Sequence, residues 1–234
     1  MVFLIRAAQR VRRLNASAFE AVTWDAGGKV RELRPLAGDT VGFALTINNA
    51  GQAAGASGSC ATTPLFPLAV GPHAVLWERD GTPINLGSLA PGTTFNTAAA
   101  LNDLGQVVGG ANTAGNKTIH TFLWTKEHGM RDLGAVENDV ASVPGGMGGI
   151  NNRGQVVGQS CDANPLTSQT PPHCRAYLWQ AGKMLDLNSL IPADSPLSLI
   201  FGYGINDAGE ITGFGIEKGT GDIHGFLLIP CDRD

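Results

Sequence analysis

Apolar and polar residues alternate along this chain in short runs, and the runs recur. In His73–Trp77 (HAVLW), His73, Val75 and Trp77 fall on one side and Ala74 and Leu76 on the other. Alternation with β-branched and aromatic residues predicts a strand. The same run recurs as EAVTW from Glu20, HTFLW from His120, RAYLW from Arg175 and HGFLL from His224, and the chain's four tryptophans all occupy its last slot. Eight or nine residues further on stand Glu32-Leu33, Asn85-Leu86, Asp132-Leu133 and Asp186-Leu187. A third pattern, apolar-Asn-x-x-Gly-(Gln/Glu)-x-x-Gly, reads INNAGQAAG, LNDLGQVVG, INNRGQVVG and INDAGEITG. Its first glycines are Gly51, Gly105, Gly154 and Gly209, giving steps of 54, 49 and 55 residues.

Each period reads as four short strands: a Trp strand, an Asp-Leu strand, a looser strand running into the Asn turn, and a Gly-Gln-Val-Val-Gly strand. Asn-x-x-Gly is hairpin chemistry, because Asn hydrogen-bonds its own backbone and Gly takes the left-handed position. The glycines of the last strand share one face with Val107, and a strand tolerates them where another backbone comes close. Converging sheets near an axis would supply that closeness, with tryptophan filling the wider space between sheets. A period near 50 with four strands per unit predicts an all-β chain, a β-propeller of four or five blades. A sheet-stacked solenoid is the second architecture. Residues 1–18 read as an N-terminal strand (Val2–Ile5) and a basic connector carrying Arg6, Arg10, Arg12 and Arg13; a presequence-like helix or a start inside a longer array are the other readings. Residues 19–234 form one repeat-built domain.

His-Ala-x-Leu-Trp, then x-Asp-Leu-Gly, then Ile-Asn-x-x-Gly-Gln-Val-Val-Gly resembles the HAF-type probable extracellular repeat family, from Glu20 to Pro230. The resemblance implies a secreted or cell-envelope propeller-like protein, extracellular or periplasmic. It implies no agreed activity and no agreed catalytic residues. No signal-peptide core is recognisable in the chain.

Composition narrows the field. Charged residues are 15% of 234, against a usual quarter or so, which disfavours coiled coils and solvated tails. The net charge of −4 offers no general attraction to nucleic acid, and no run approaches a membrane-spanning length. Cys161 and Cys174 bracket the insertion CDANPLTSQTPPHC between hairpin partners, so a disulfide is expected there. Cys60 and Cys231 would meet if a ring closed first unit on last. Four cysteines in loops suit an oxidising compartment, and a closed ring should run as a monomer.

The histidines carry the sharpest chemical hypothesis. His73, His120 and His224 share one repeat slot, with Glu20 and Arg175 in the other copies. On a ring facing a channel, three imidazoles would hold zinc or another divalent transition metal with an open position. Glu20 would serve as base or fourth ligand and Arg175 would stabilise an oxyanion, giving a hydrolase of esters, lactones or phosphotriesters. The competing reading is structural: a histidine at a strand start bonds the neighbouring blade's backbone. Asn48, Asn102, Asn151 and Asn206, with Asp103 and Asp207, read as turn stabilisers rather than calcium ligands. Asp132 and Asp186 read as capping groups. Neither a nucleophile elbow nor a phosphate loop is present. The favoured expectation is a non-catalytic scaffold needing no cofactor, whose loops bind a small molecule, glycan or protein.

Overall fold

The computed structural model describes residues 21–25, 27–59, 72–165 and 167–231. These residues are all-β: seventeen strands and two short 3-10 turns, Ala114–Asn116 and Leu187–Leu190. The expected strands form, and they gather into five antiparallel sheets, none closed into a barrel. The first sheet pairs β1 (Ala21–Trp24) with β2 (Val30–Leu33). The second runs β3 (Val41–Ile47), β4 (Ala53–Gly58), β5 (His73–Trp77), β6 (Pro83–Asn85). The third follows the same order through β7 (Asn96–Leu101), β8 (Val107–Asn112), β9 (Ile119–Thr125) and β10 (Gly129–Asp132). The fourth comprises β11 (Ala141–Pro144), β12 (Val156–Cys161), β13 (Cys174–Gln180) and β14 (Lys183–Asp186). The last has three strands, β15 (Leu197–Ile205), β16 (Ile211–Glu217) and β17 (Ile223–Leu228). Each sheet is a simple meander, so hairpin turns suffice as connections. A full sheet therefore opens on the strand that runs into the Asn turn, and the Trp strand is its third.

The core lies between successive sheets. Each tryptophan of a full sheet faces the sheet before it. Trp77 packs with Ala21 and Leu33 of the first sheet, Trp124 with Leu76 and Leu86 of the second, and Trp179 with Leu123 and Leu133 of the third. The leucine preceding each tryptophan faces the other way, as do the leucines of the Asp-Leu pairs. Thus Leu178 and Leu187 meet Leu199, Ile205 and Ile211 of the last sheet. The two residue types divide the two faces of each full sheet, which follows from the two-residue period of the strand.

The strand glycines are crowded, and the crowding comes from a different source than converging sheets. A methyl at Gly55, Gly109, Gly158 or Gly213 would strike the carbonyl of Phe43, Thr97, Val143 or Phe201, each on the adjacent strand of the same sheet. In the β3–β4, β7–β8 and β15–β16 pairs the adjacent strand bulges beside the glycine. Bulges bend a strand and turn its carbonyls out of line. From the other side, the rings of Phe122, Tyr177 and Phe226 lie over Gly109, Gly158 and Gly213.

The expected Cys161–Cys174 disulfide is formed, joining directly opposed residues of β12 and β13. Cys231 is a free, exposed thiol, so the second expected bridge is not made; Cys60 lies outside the described residues. Cys231 follows β17 in the last sheet, and among the described residues no apolar cluster joins that sheet to the first. No helix of the described residues is long and apolar enough to cross a membrane.

Candidate functional site

The four Asn turns carry the most organised polar network. Within each turn the Asn side-chain oxygen accepts backbone N–H groups: Gln52 for Asn48, Leu104 and Gln106 for Asn102, Arg153 and Gln155 for Asn151, Ala208 and Glu210 for Asn206. The glycine of the turn, such as Gly105 at φ 74°, takes the left-handed backbone that lets the hairpin close. The Asn amide then donates twice. One N–H goes to the side chain four residues on, at 2.8, 2.7, 2.7 and 2.6 Å for Gln52, Gln106, Gln155 and Glu210. The other reaches the following unit: Asn48 to the Asn102 carbonyl at 3.0 Å, Asn102 to Asn151 at 2.9 Å, and Asn151 to Asn206 at 2.9 Å.

A second rail runs beside the first. The Asn49 N–H donates to Asp103, the Asp103 N–H to the Asn152 side-chain oxygen, and the Asn152 N–H to Asp207. These N–H bonds, from Asn49 and Asn152 respectively, hold the carboxyls of Asp103 and Asp207 below the usual carboxylate range. The turn-stabilising reading is what the geometry shows, but it is half of the arrangement. The same residues tie unit to unit, and all four turns line one hollow of about 300 Å³. Sequence reasoning placed them in separate turns. The overlooked signal is that the slot is Asn in all four copies, although Asp or Ser would serve a turn equally well; a carboxylate has no donor and a hydroxyl only one, whereas a side-chain amide keeps the acceptor and adds two donors.

The histidine slot is built differently. His120 uses both ring nitrogens, Nδ1 with Asp132 at 2.9 Å and Nε2 with the Val140 carbonyl at 3.2 Å. Val140 immediately precedes β11, so the bond to a neighbouring sheet's backbone, the structural reading of the slot, is realised here. Two acceptors satisfy an imidazole fully only when both nitrogens carry protons. Accordingly the hydrogen bond to Asp132 raises the His120 pKa, against the effect of burial. Burial works to raise the Asp132 carboxyl, yet hydrogen bonds from His120 and the Gly134 N–H outweigh it and hold the group low.

His73 bonds Asp39 at 2.9 Å, and that carboxylate also accepts the Ser57 hydroxyl. His224 lies 3.5 Å from Glu217 on an exposed strand. Arg175 pairs with Asp139 at 3.1 Å and Asp186 at 3.5 Å. Glu20 lies outside the described residues.

His73, His120 and His224 are not brought into one coordination shell. Among the described residues, the one group of three His, Cys, Asp or Glu side chains with ligand atoms within 4.8 Å of one another is Glu217, Asp222 and His224, at the β16–β17 turn. Among the described residues, the slot's His73, His120, Arg175 and His224 are each placed beside an acid instead. Asp132 and Asp186 act as expected of capping groups: their carboxylates accept the N–H of Gly134 and Asn188, and Asn85 does the same for Gly87. No protein-family model, curated protein or solved structure matches this chain.

Proposed function

We propose that the chain is a non-catalytic repeat scaffold of the HAF kind, a β-propeller-like array of the cell envelope that presents its loops to a ligand. The observation that carries this reading is the state of His120. Both its nitrogens are committed, to Asp132 and to the Val140 carbonyl, leaving no lone pair for a metal. Among the described residues, one ring nitrogen of His73 and one of His224 face carboxylates, Arg175 pairs with two acids, and the turn asparagines are engaged in the rails. The gathering of four turns about one hollow supports a radial rather than a linear arrangement. The disulfide supports an oxidising compartment. The binding surface then belongs to what does not recur: the exposed, disulfide-closed insertion between β12 and β13, and the rim of the turn hollow with its carboxylates and carboxamides. A glycan, a small molecule or a protein suits such polar loops.

The test sets this reading against the metal hydrolase. Purified protein is analysed for transition metals and assayed with an activated ester, a lactone and a phosphotriester, alongside His73→Ala, His120→Ala and His224→Ala. The scaffold reading expects no stoichiometric metal and no hydrolysis that depends on these histidines. One equivalent of zinc, lost together with turnover in His120→Ala, would establish the hydrolase instead.

A further inference from the structure

One polar contact recurs from sheet to sheet, and in the third sheet it is missing. The glutamine four residues after the turn Asn accepts the Asn amide and then donates to the residue that follows the tryptophan: Gln52 to Glu78 at 2.9 Å, and Gln155 to Gln180 at 2.9 Å. In the third sheet that residue is Thr125. Its hydroxyl is taken by His128, whose backbone N–H and Nδ1 both lie at 3.2 Å. Gln106 still accepts the Asn102 amide at 2.7 Å, but its own amide N–H groups have no partner among the described residues. They are not sealed in the core, so they are left to solvent.

Gln106 lines a cleft of about 430 Å³ between the second and third sheets. That volume falls within the ~300–1,000 Å³ of small-molecule sites. Trp124 and Leu104 give the cleft an apolar side. Leu104 holds a slot that is Ala50, Arg153 and Ala208 in the other turns, and it is 68% exposed. The Trp124 indole N–H has no partner among the described residues, whereas that of Trp77 donates to the Arg34 carbonyl at 2.7 Å. Acceptors line the cleft too: Glu127, and the Glu78 oxygen that Gln52 leaves unused. Lys126 adds a cation. The Asp103 carboxylate at the edge is already held by Asn49 and is not counted.

This mixture selects the ligand. An anion would meet two carboxylates. An apolar molecule would cut the Gln106 and Trp124 donors off from water without replacing its hydrogen bonds, which is costly. An amine would answer the carboxylates but neither donor. A hydroxyl both donates and accepts, and a pyranose carries hydroxyls around its rim and C–H groups on its faces. We infer that this cleft binds one neutral pyranose unit of a glycan, with hydroxyls on Gln106, Glu78 and Glu127 and a C–H face against Leu104 and the edge of Trp124. The inference deepens the scaffold reading and rests on it, since binding there belongs to what does not recur, and Thr125 and Leu104 are such departures.

Binding is measured by saturation-transfer NMR and calorimetry, with glucose, galactose, mannose and N-acetylglucosamine as probes and methylammonium as the cationic comparison. At least one sugar should bind wild type. Gln106→Glu keeps the acceptor for Asn102, as Glu210 does for Asn206 at 2.6 Å, and removes only the donors. It should weaken binding about tenfold. Thr125→Gln restores the residue type of Gln180, recaptures the Gln106 amide and should abolish binding. Gln155→Glu, the same change one sheet further on, should leave binding unaltered. Circular dichroism checks that the variants fold, and Leu104→Asn, which should weaken binding, replaces Thr125→Gln if the latter does not. A wild type that binds none of the sugars overturns the inference. So does sugar binding that Gln106→Glu leaves intact, an equal loss in Gln155→Glu, or methylammonium bound in place of sugar. None of these outcomes bears on metal content or hydrolysis, so the scaffold reading stands or falls on its own test.

Discussion

At the residue scale, one side-chain pair makes the structural role of the histidine slot measurable. The raised pKa of His120 means its contribution to stability is complete below about pH 6.5 and fades as pH rises through the folded-state value. The lowered pKa of Asp132 means its contribution is present above about pH 4 and fades as pH falls. The pair therefore helps most in the mildly acidic window between the two. Urea unfolding of wild type and His120→Gln should show the largest stability difference near about pH 5, shrinking by about pH 9. A difference that does not change over that range would remove the ion pair from the account. Asn102 offers a second test. Asn102→Asp keeps the acceptor that closes the turn but loses both donations, to Gln106 and to the Asn151 carbonyl, at a buried position. Leaving those acceptors facing a carboxylate should cost about 2–3 kcal/mol. Leu104→Asn, two residues away and exposed, should stay within about 0.5 kcal/mol of wild type.

At the element scale, the second strand of each sheet is defined by what it cannot hold. Gly109→Ala drives a methyl into the Thr97 carbonyl and the Phe122 ring, so it should destabilise by about 1–3 kcal/mol or prevent folding. Gly219→Ala has nothing within 4 Å and should be near neutral; equal effects of the two substitutions would contradict the crowding described. These strands were legible in the sequence because alternation, Asn-x-x-Gly turns and tryptophan slots are local signals that recur in one order. The cause of the glycines was not, because a bulge is a relation between two strands and leaves no period of its own. The disulfide was legible for the opposite reason: hairpin partners keep Cys161 and Cys174 opposed whatever the sheet packs against. The Cys60–Cys231 pairing depended on how the ends of the series meet, which no local pattern records. His73, His120 and His224 show the same limit. Recurrence marks a slot as important without saying whether its residues face one another or their own carboxylates.

For the whole molecule, the decisive feature is that side chains recurring along the chain connect consecutive sheets. Tryptophan and leucine divide the two faces, and the Asn rails stitch the turns. The account turns on whether these turns gather at one centre. Ala50 and Ala208 occupy equivalent exposed positions in the first and last Asn turns, both of which border the same hollow. The most direct measurement is the distance between spin labels on Ala50→Cys and Ala208→Cys in a Cys60→Ser, Cys231→Ser background, recorded by pulsed electron resonance on dilute protein. Turns gathered about one hollow place the labels less than about 20 Å apart. Sheets stacked in line at roughly 10 Å each would place them about 30 Å apart or more, and that result would contradict the radial scaffold.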